Sequence, residues 1–195
     1  MEKIQGHLDI KGEGIFKQAE VFFDDLFLKK IPPLPEQFRD LLVTLAPFWA
    51  IVLIVFTVLR AVIGSLVVLL GLLGTVVSLA TLSGSGAISN VLAIVQTVVG
   101  LAFAAVILLY LAKSLRGLFD HKDAGWQALF RAKVVGLGSV VFAWLMGLLI
   151  SVVSASGLGA VAVIGASIVA LPIWLIFFGL SFYLLFQIKG RYASV

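Results

Sequence analysis

Asp120-His121-Lys122-Asp123 places three side chains of metal-ligating type within four residues, and the chemistry such a run could do is to hold a divalent cation. Lys122 in its midst and the lack of a second histidine nearby point instead to a solvated turn. Gly157-Leu158-Gly159-Ala160-Val161-Ala162 has the short form of a dinucleotide fingerprint, which works only where a strand passes into the helix of a βαβ unit. Here it joins two apolar stretches. His7 and His121 both lie outside those stretches, so they cannot clasp a haem within them. Serines are plentiful, but no histidine or acid in the apolar region stands ready to activate one. General acid–base work needs a positioned titratable group, and between Leu41 and Ala112 the only charged residue is Arg60. The expectation is a protein that is not an enzyme and carries no cofactor and no metal.

The elements that hold these residues are overwhelmingly apolar. Hydrophobic residues make up 62% of the 195, charged ones 12%, and the mean hydropathy is +1.18. A soluble domain is nearer half apolar. The net charge of +4 is the ordinary signal of bases flanking membrane spans and is not read as a nucleic-acid footprint; no nucleic-acid partner is expected. Cysteine is absent, which removes disulfides, thiolate metal sites and cysteine-linked lipid anchors. The first 40 residues carry charge throughout and contain no apolar signal core, so the first span is expected to target the chain.

Crossing roughly 30 Å of hydrocarbon takes about 20 apolar residues. Such stretches occur at about 41–63, 91–112, 134–153 and 161–186. The sequence thus predicts an all-α integral membrane four-helix bundle (41–195), preceded by a cytoplasmic segment (1–40) with a Pro-rich linker at Pro32, Pro33 and Pro35. The stretch 61–82 is long enough to span again, but its Gly64-Ser65, Gly71 and Gly74 suit a re-entrant or interfacial turn. Charge decides for four spans: 13 of the 14 Lys and Arg residues then face one side. By the positive-inside rule that side is the cytoplasm, with both termini and a loop at 113–133. The outer connections, around Ser83–Asn90 and Ser154–Gly159, carry no charge.

Three groups of residues emerge from this layout. In the third span Ser139, Ala143, Gly147, Ser151 and Ala155 recur every four residues, with Gly136 beside them, forming a flat stripe for close helix packing. The stripe suits either the protein's own spans or a partner, a second copy or another membrane protein. Trp49, Arg60, Trp126, Arg131, Lys133, Lys189 and Arg191 read as interfacial anchors, with Arg60 snorkelling at the far edge of the first span. From 13 to 30 the spacing predicts an amphipathic interfacial helix whose apolar face is Ile15, Phe16, Phe22, Phe23, Leu26 and Phe27. Gln96 and Thr97 read as interhelical hydrogen-bonding groups, and Pro172 as a kink.

Gly125-Trp126-Gln127-Ala128-Leu129-Phe130 opens the third span, and Phe186-Gln187-Ile188-Lys189, followed by Tyr192, closes the last. A Gly-Trp-x-x-Leu-Phe entry with such an exit resembles a set of small, uncharacterised four-span bacterial inner-membrane proteins, over residues 117–192. The resemblance implies a fold and a bacterial cytoplasmic membrane, and no activity. The function expected is that of an accessory, scaffold or assembly subunit acting through helix packing, with membrane lipid as partner and, through the third span, either a second copy of itself or another membrane protein. The alternative is a small uncoupled transporter or channel for neutral or lipid-like solutes. The apolar interior lacks the acids that coupled transport uses.

Overall fold

Three prolines separate the first helix from the rest. In the computed structural model, which describes residues 14–80, 84–154 and 158–192, residues 14–24 are α-helical and run into a π-helical turn, Asp25–Lys29. Together these form α1. Side chains are described throughout except at 78–80, 84–87, 154, 158–164, 166–167 and 169–171. Pro32, Pro33 and Pro35 cannot continue a helix, and residues 32–35 have no regular secondary structure. The Pro35 carbonyl then accepts from the Phe38 and Arg39 amides (3.1 and 3.2 Å) and so starts α2, Glu36–Ala80. Glu36 in its first turn favours the positive end of the helix dipole. After α2 come α3 (Gly84–Phe119), α4 (Asp123–Ser154), α5 (Leu158–Gln187) and the short α6 (Lys189–Tyr192). Four of these helices are long and apolar enough to cross a membrane, and no strand occurs among the described residues. The chain is an all-α, multi-pass membrane protein.

Three expectations need correction. The helix does not turn back at 61–82: α2 continues through Gly64, Gly71 and Gly74 to Ala80. A single glycine in a helix costs about 1 kcal/mol against alanine, too little to break a helix whose other residues favour it. The loop expected at 113–133 is a helical hairpin. α3 runs to Phe119, α4 starts at Asp123, and the turn between them is a Schellman motif. The Lys122 amide reaches back to the Gly117 carbonyl (2.8 Å), the His121 amide to Leu118 (3.3 Å), and His121 has a φ of 54°. Most of the outer connection expected at 83–90 is likewise the first two turns or so of α3.

Two compact units share these helices. The first comprises Met1–Ile51, Tyr110–Val134 and Gly179–Val195; the second comprises Val52–Leu109 and Val135–Phe178. The first unit has a core. Val43, Ala46 and Ala50 form a buried stripe on α2, and Leu111, Ser114 and Leu118 another on α3. Trp126, Leu129, Phe130, Phe182, Leu185, Phe186 and Tyr192 fill the space within this unit. Gly117 and Gly125 let the α3–α4 hairpin close: a Cβ on Gly117 would stand 2.5 Å from the Gly125 backbone.

The second unit is packed in another way. Of its described apolar side chains, only Ala104 is buried. Its helices touch through small residues and polar groups. Positions 64, 71 and 74 of α2 meet α3, where an added Cβ would lie 3.4 Å from Thr97, 3.2 Å from Ile94 and 3.3 Å from Asn90. Gln96 donates from Nε2 to the Ala143 carbonyl (3.2 Å), and Phe103 packs on Phe142. Lipid tails are as apolar as leucine, so burying such side chains against protein brings no hydrophobic gain in a bilayer, and close backbone packing takes over.

Candidate functional site

Chemistry-bearing side chains gather in the first unit, around Trp126. Gly125 is required where the hairpin closes, and this sets the next residue, Trp126, into the core with no exposed surface. Its Nε1–H donates to the Leu185 carbonyl (2.9 Å). The indole stacks on Phe130 (5.5 Å between centroids) and meets Phe186 edge-on (5.3 Å). Trp126 is therefore a core residue and not the headgroup anchor expected: a tryptophan whose N–H finds an internal acceptor can be buried entirely.

Lys189 follows the last long helix and lies over both rings, 5.2 Å from Trp126 and 5.5 Å from Phe186. Its ammonium bonds Glu20 (2.8 Å) and Asp24 (2.5 Å) of α1. One cation thus faces two carboxylates, while the second oxygen of Asp24 is buried without a partner among the described residues. Lys189 fastens α1 rather than reaching for headgroups. Phe23 stacks on Phe182 (4.4 Å) and on Phe27 (5.7 Å), and Phe27 packs against Tyr183 (6.0 Å). Each such pair is worth about 0.5–1.5 kcal/mol beyond burial.

The linker is tied down as well. The Leu34 amide donates to Gln187 Oε1 (3.0 Å), and the Tyr183 hydroxyl donates to the Pro32 carbonyl (3.1 Å). Arg191 pairs with Asp40 (3.1 Å). The Tyr192 hydroxyl donates to the Val43 carbonyl (3.3 Å). Pro47 lies four residues beyond Val43 and has no N–H, so it leaves that carbonyl without its helical partner. Tyr192 supplies the missing donor. It also stacks with His121, whose ring centroid is 5.9 Å away.

The remaining anticipated residues fall into three sets. Of the α1 face, Phe27 is buried, Phe16, Phe23 and Leu26 are half-buried, but Ile15 and Phe22 are 65% and 62% exposed. The packed side instead includes Ala19, Glu20 and Asp24, because the two carboxylates follow Lys189. Of the anchors, Trp49 and Arg60 are exposed; the Arg131 guanidinium lies 5.6 Å over Phe16; Lys133 donates to the carbonyl (3.0 Å) and hydroxyl of Ser181. Of the α4 stripe, Ser139 is buried, Gly136 faces Phe178 (3.9 Å) and the Ala143 carbonyl is bonded by Gln96. No described atom comes within 4 Å of a Cβ on Gly147, Ser151 bonds its own helix at the Gly147 carbonyl, and Ala155 lies outside the described residues.

Sequence reasoning missed the glycine seam of α2 and the Tyr192–Val43 bond. Gly64 and Gly71, seven apart, share a helix face, and a proline inside a helix always leaves a carbonyl to be satisfied. Both signals were present in the sequence. No family model, curated protein or solved structure matches this chain.

Proposed function

We propose that this chain is a non-enzymatic accessory or scaffold subunit of a bacterial inner membrane, with its termini in the cytoplasm, and that the outer half of the α4 stripe is where a partner helix docks. Support for its placement comes from charge. The two segments of the second unit contain one charged residue, Arg60, while the other 23 belong to the first unit. The helical stretches of the second unit (52–80, 84–109, 135–154 and 158–178) are roughly 30–44 Å long. They match the hydrocarbon with some tilt. The membrane then begins near Val52, and the part of α2 before it belongs with the aqueous core. Arg60 lies about 12 Å inside, with its side chain inclined toward the helix N-terminus and hence toward the nearer headgroups.

Support for the role comes from one observation: the small-residue stripe is used internally at Gly136, Ser139 and Ala143, while at Gly147 no described atom meets it. Small residues with no neighbour among the described atoms leave room for a backbone to approach, and Trp126, Gln187, Lys189, Arg191 and Tyr192 of the first unit are engaged in holding α1, the linker and the C-terminal segment together. A photo-crosslinker replacing Ser151 in native membranes is expected to give one discrete protein adduct, abolished by Gly147→Leu. Adducts with lipid alone, or an adduct indifferent to Gly147→Leu, would refute the interface.

A further inference from the structure

Every described acid of the first unit except Asp123 is in an ion pair, and Asp123 accepts from Gln127 (2.6 Å). Among the bases, Lys17, Lys30, Lys113, Arg116 and Arg131 have no acid among the described residues, and Lys133 bonds only Ser181. Two of these, Arg131 and Lys113, flank the contact between Phe16 and Tyr110. The Phe16 ring meets Tyr110 of α3 edge-on (6.1 Å) and carries the Arg131 guanidinium of α4 on its other contact (5.6 Å). Lys113 lies one helical turn beyond Tyr110 on the same face, whereas Lys17, next to Phe16 on a helix, falls on a different face of α1. Both lysines are exposed. The Arg131 guanidinium sits over the Phe16 ring, and its N–H edges have no acceptor among the described residues. That planar fork matches two oxygens of a phosphate, whereas lysine serves as a point charge. Tyr110 and Val134 are also the residues at which the charge-bearing first unit gives way in sequence to the nearly charge-free second. A phosphate here would be at headgroup depth, with Phe16 and Tyr110 against the lipid's glycerol and upper chain.

We infer that Arg131 and Lys113, beside Phe16 and Tyr110, form a binding site for the phosphate headgroup of an anionic phospholipid. This rests on membrane insertion and not on the α4 interface. The test reconstitutes the full chain into nanodiscs of phosphatidylcholine mixed with phosphatidylglycerol, then measures by mass spectrometry the phosphatidylglycerol retained on gentle extraction. Failure of insertion shows beforehand as protein absent from the discs. The wild type is expected to retain phosphatidylglycerol selectively. Lys113→Gln and Arg131→Gln are each expected to weaken retention about fivefold, as a basic residue near an anionic surface is worth about that factor. Lys122→Gln, whose charge is already engaged by Asp120 (3.1 Å), should leave it unchanged. Lys113 is exposed, so its variant tests charge without disturbing the fold. Selective retention undiminished in the double variant would overturn the assignment. So would displacement of the lipid by equimolar soluble glycerol phosphate, which would make the site one for a free anion.

Discussion

Replacing Tyr192 by phenylalanine removes one oxygen from a fully buried ring and leaves the Val43 carbonyl with neither its helical donor nor its substitute. A buried acceptor stripped of its partner costs about 1–3 kcal/mol. At 3.3 Å the bond is longer than the usual O–H···O distance, which puts the expected cost at the lower end, about 1–1.5 kcal/mol. The cause can be isolated, because Pro47→Ala restores an N–H at the position that ordinarily bonds Val43. In that background Tyr192→Phe is expected to cost less than about 0.5 kcal/mol, so the double-mutant cycle should show a coupling of about 1 kcal/mol. Four proteins, unfolded by denaturant in one detergent and followed by tryptophan fluorescence, supply the cycle; buried Trp126 is a reporter within the same unit. Equal costs in both backgrounds would show that the hydroxyl acts through something other than the carbonyl orphaned by Pro47.

Gly125→Ala should destabilise by at least about 1–3 kcal/mol, because the atoms its Cβ meets are Gly117 and Leu118 backbone and cannot rotate away; Gly190→Ala, with open space around it, should be neutral or slightly stabilising, and thermal unfolding in detergent compares them. In the same assay Gly71→Leu should lower stability, since Ile94 is 3.2 Å from the first added carbon, whereas Gly147→Leu should leave it unchanged while abolishing the crosslink at residue 151. Lys189→Met should release α1 by leaving Glu20 and Asp24 unpaired at a site only 21–32% exposed; hydrogen exchange over residues 15–27 would then accelerate markedly. Raising salt on the wild type should change this exchange little, because stacked rings hold the helix as well, and protection lost in salt would refute the aromatic contribution.

Local features of the sequence were enough to establish that this protein is helical, that it has four stretches fit to cross a membrane and that a helix precedes a proline linker. Those conclusions rest on run length, periodicity and the absence of a proline N–H, none of which needs a distant neighbour. Where hydrocarbon begins is a matter of packing. Leu41 to Ile51 is as apolar as the rest of α2, and hydropathy cannot separate a helix buried against protein from one facing lipid; only the packing of Val43, Ala46 and Ala50 within the first unit assigns that stretch to a core. The same ambiguity made Trp126 and Lys189 look like anchors, since a tryptophan beside a base is drawn equally to a headgroup layer and to a buried cation–π pair. Their partners, Leu185 at a sequence separation of 59 and Glu20 far upstream, are brought close only by the fold. Glycine was ambiguous for a related reason. Without a neighbour in view, Gly64, Gly71 and Gly74 could mark a bend or a seam, and it is the approach of α3 to within van der Waals contact that makes them a seam.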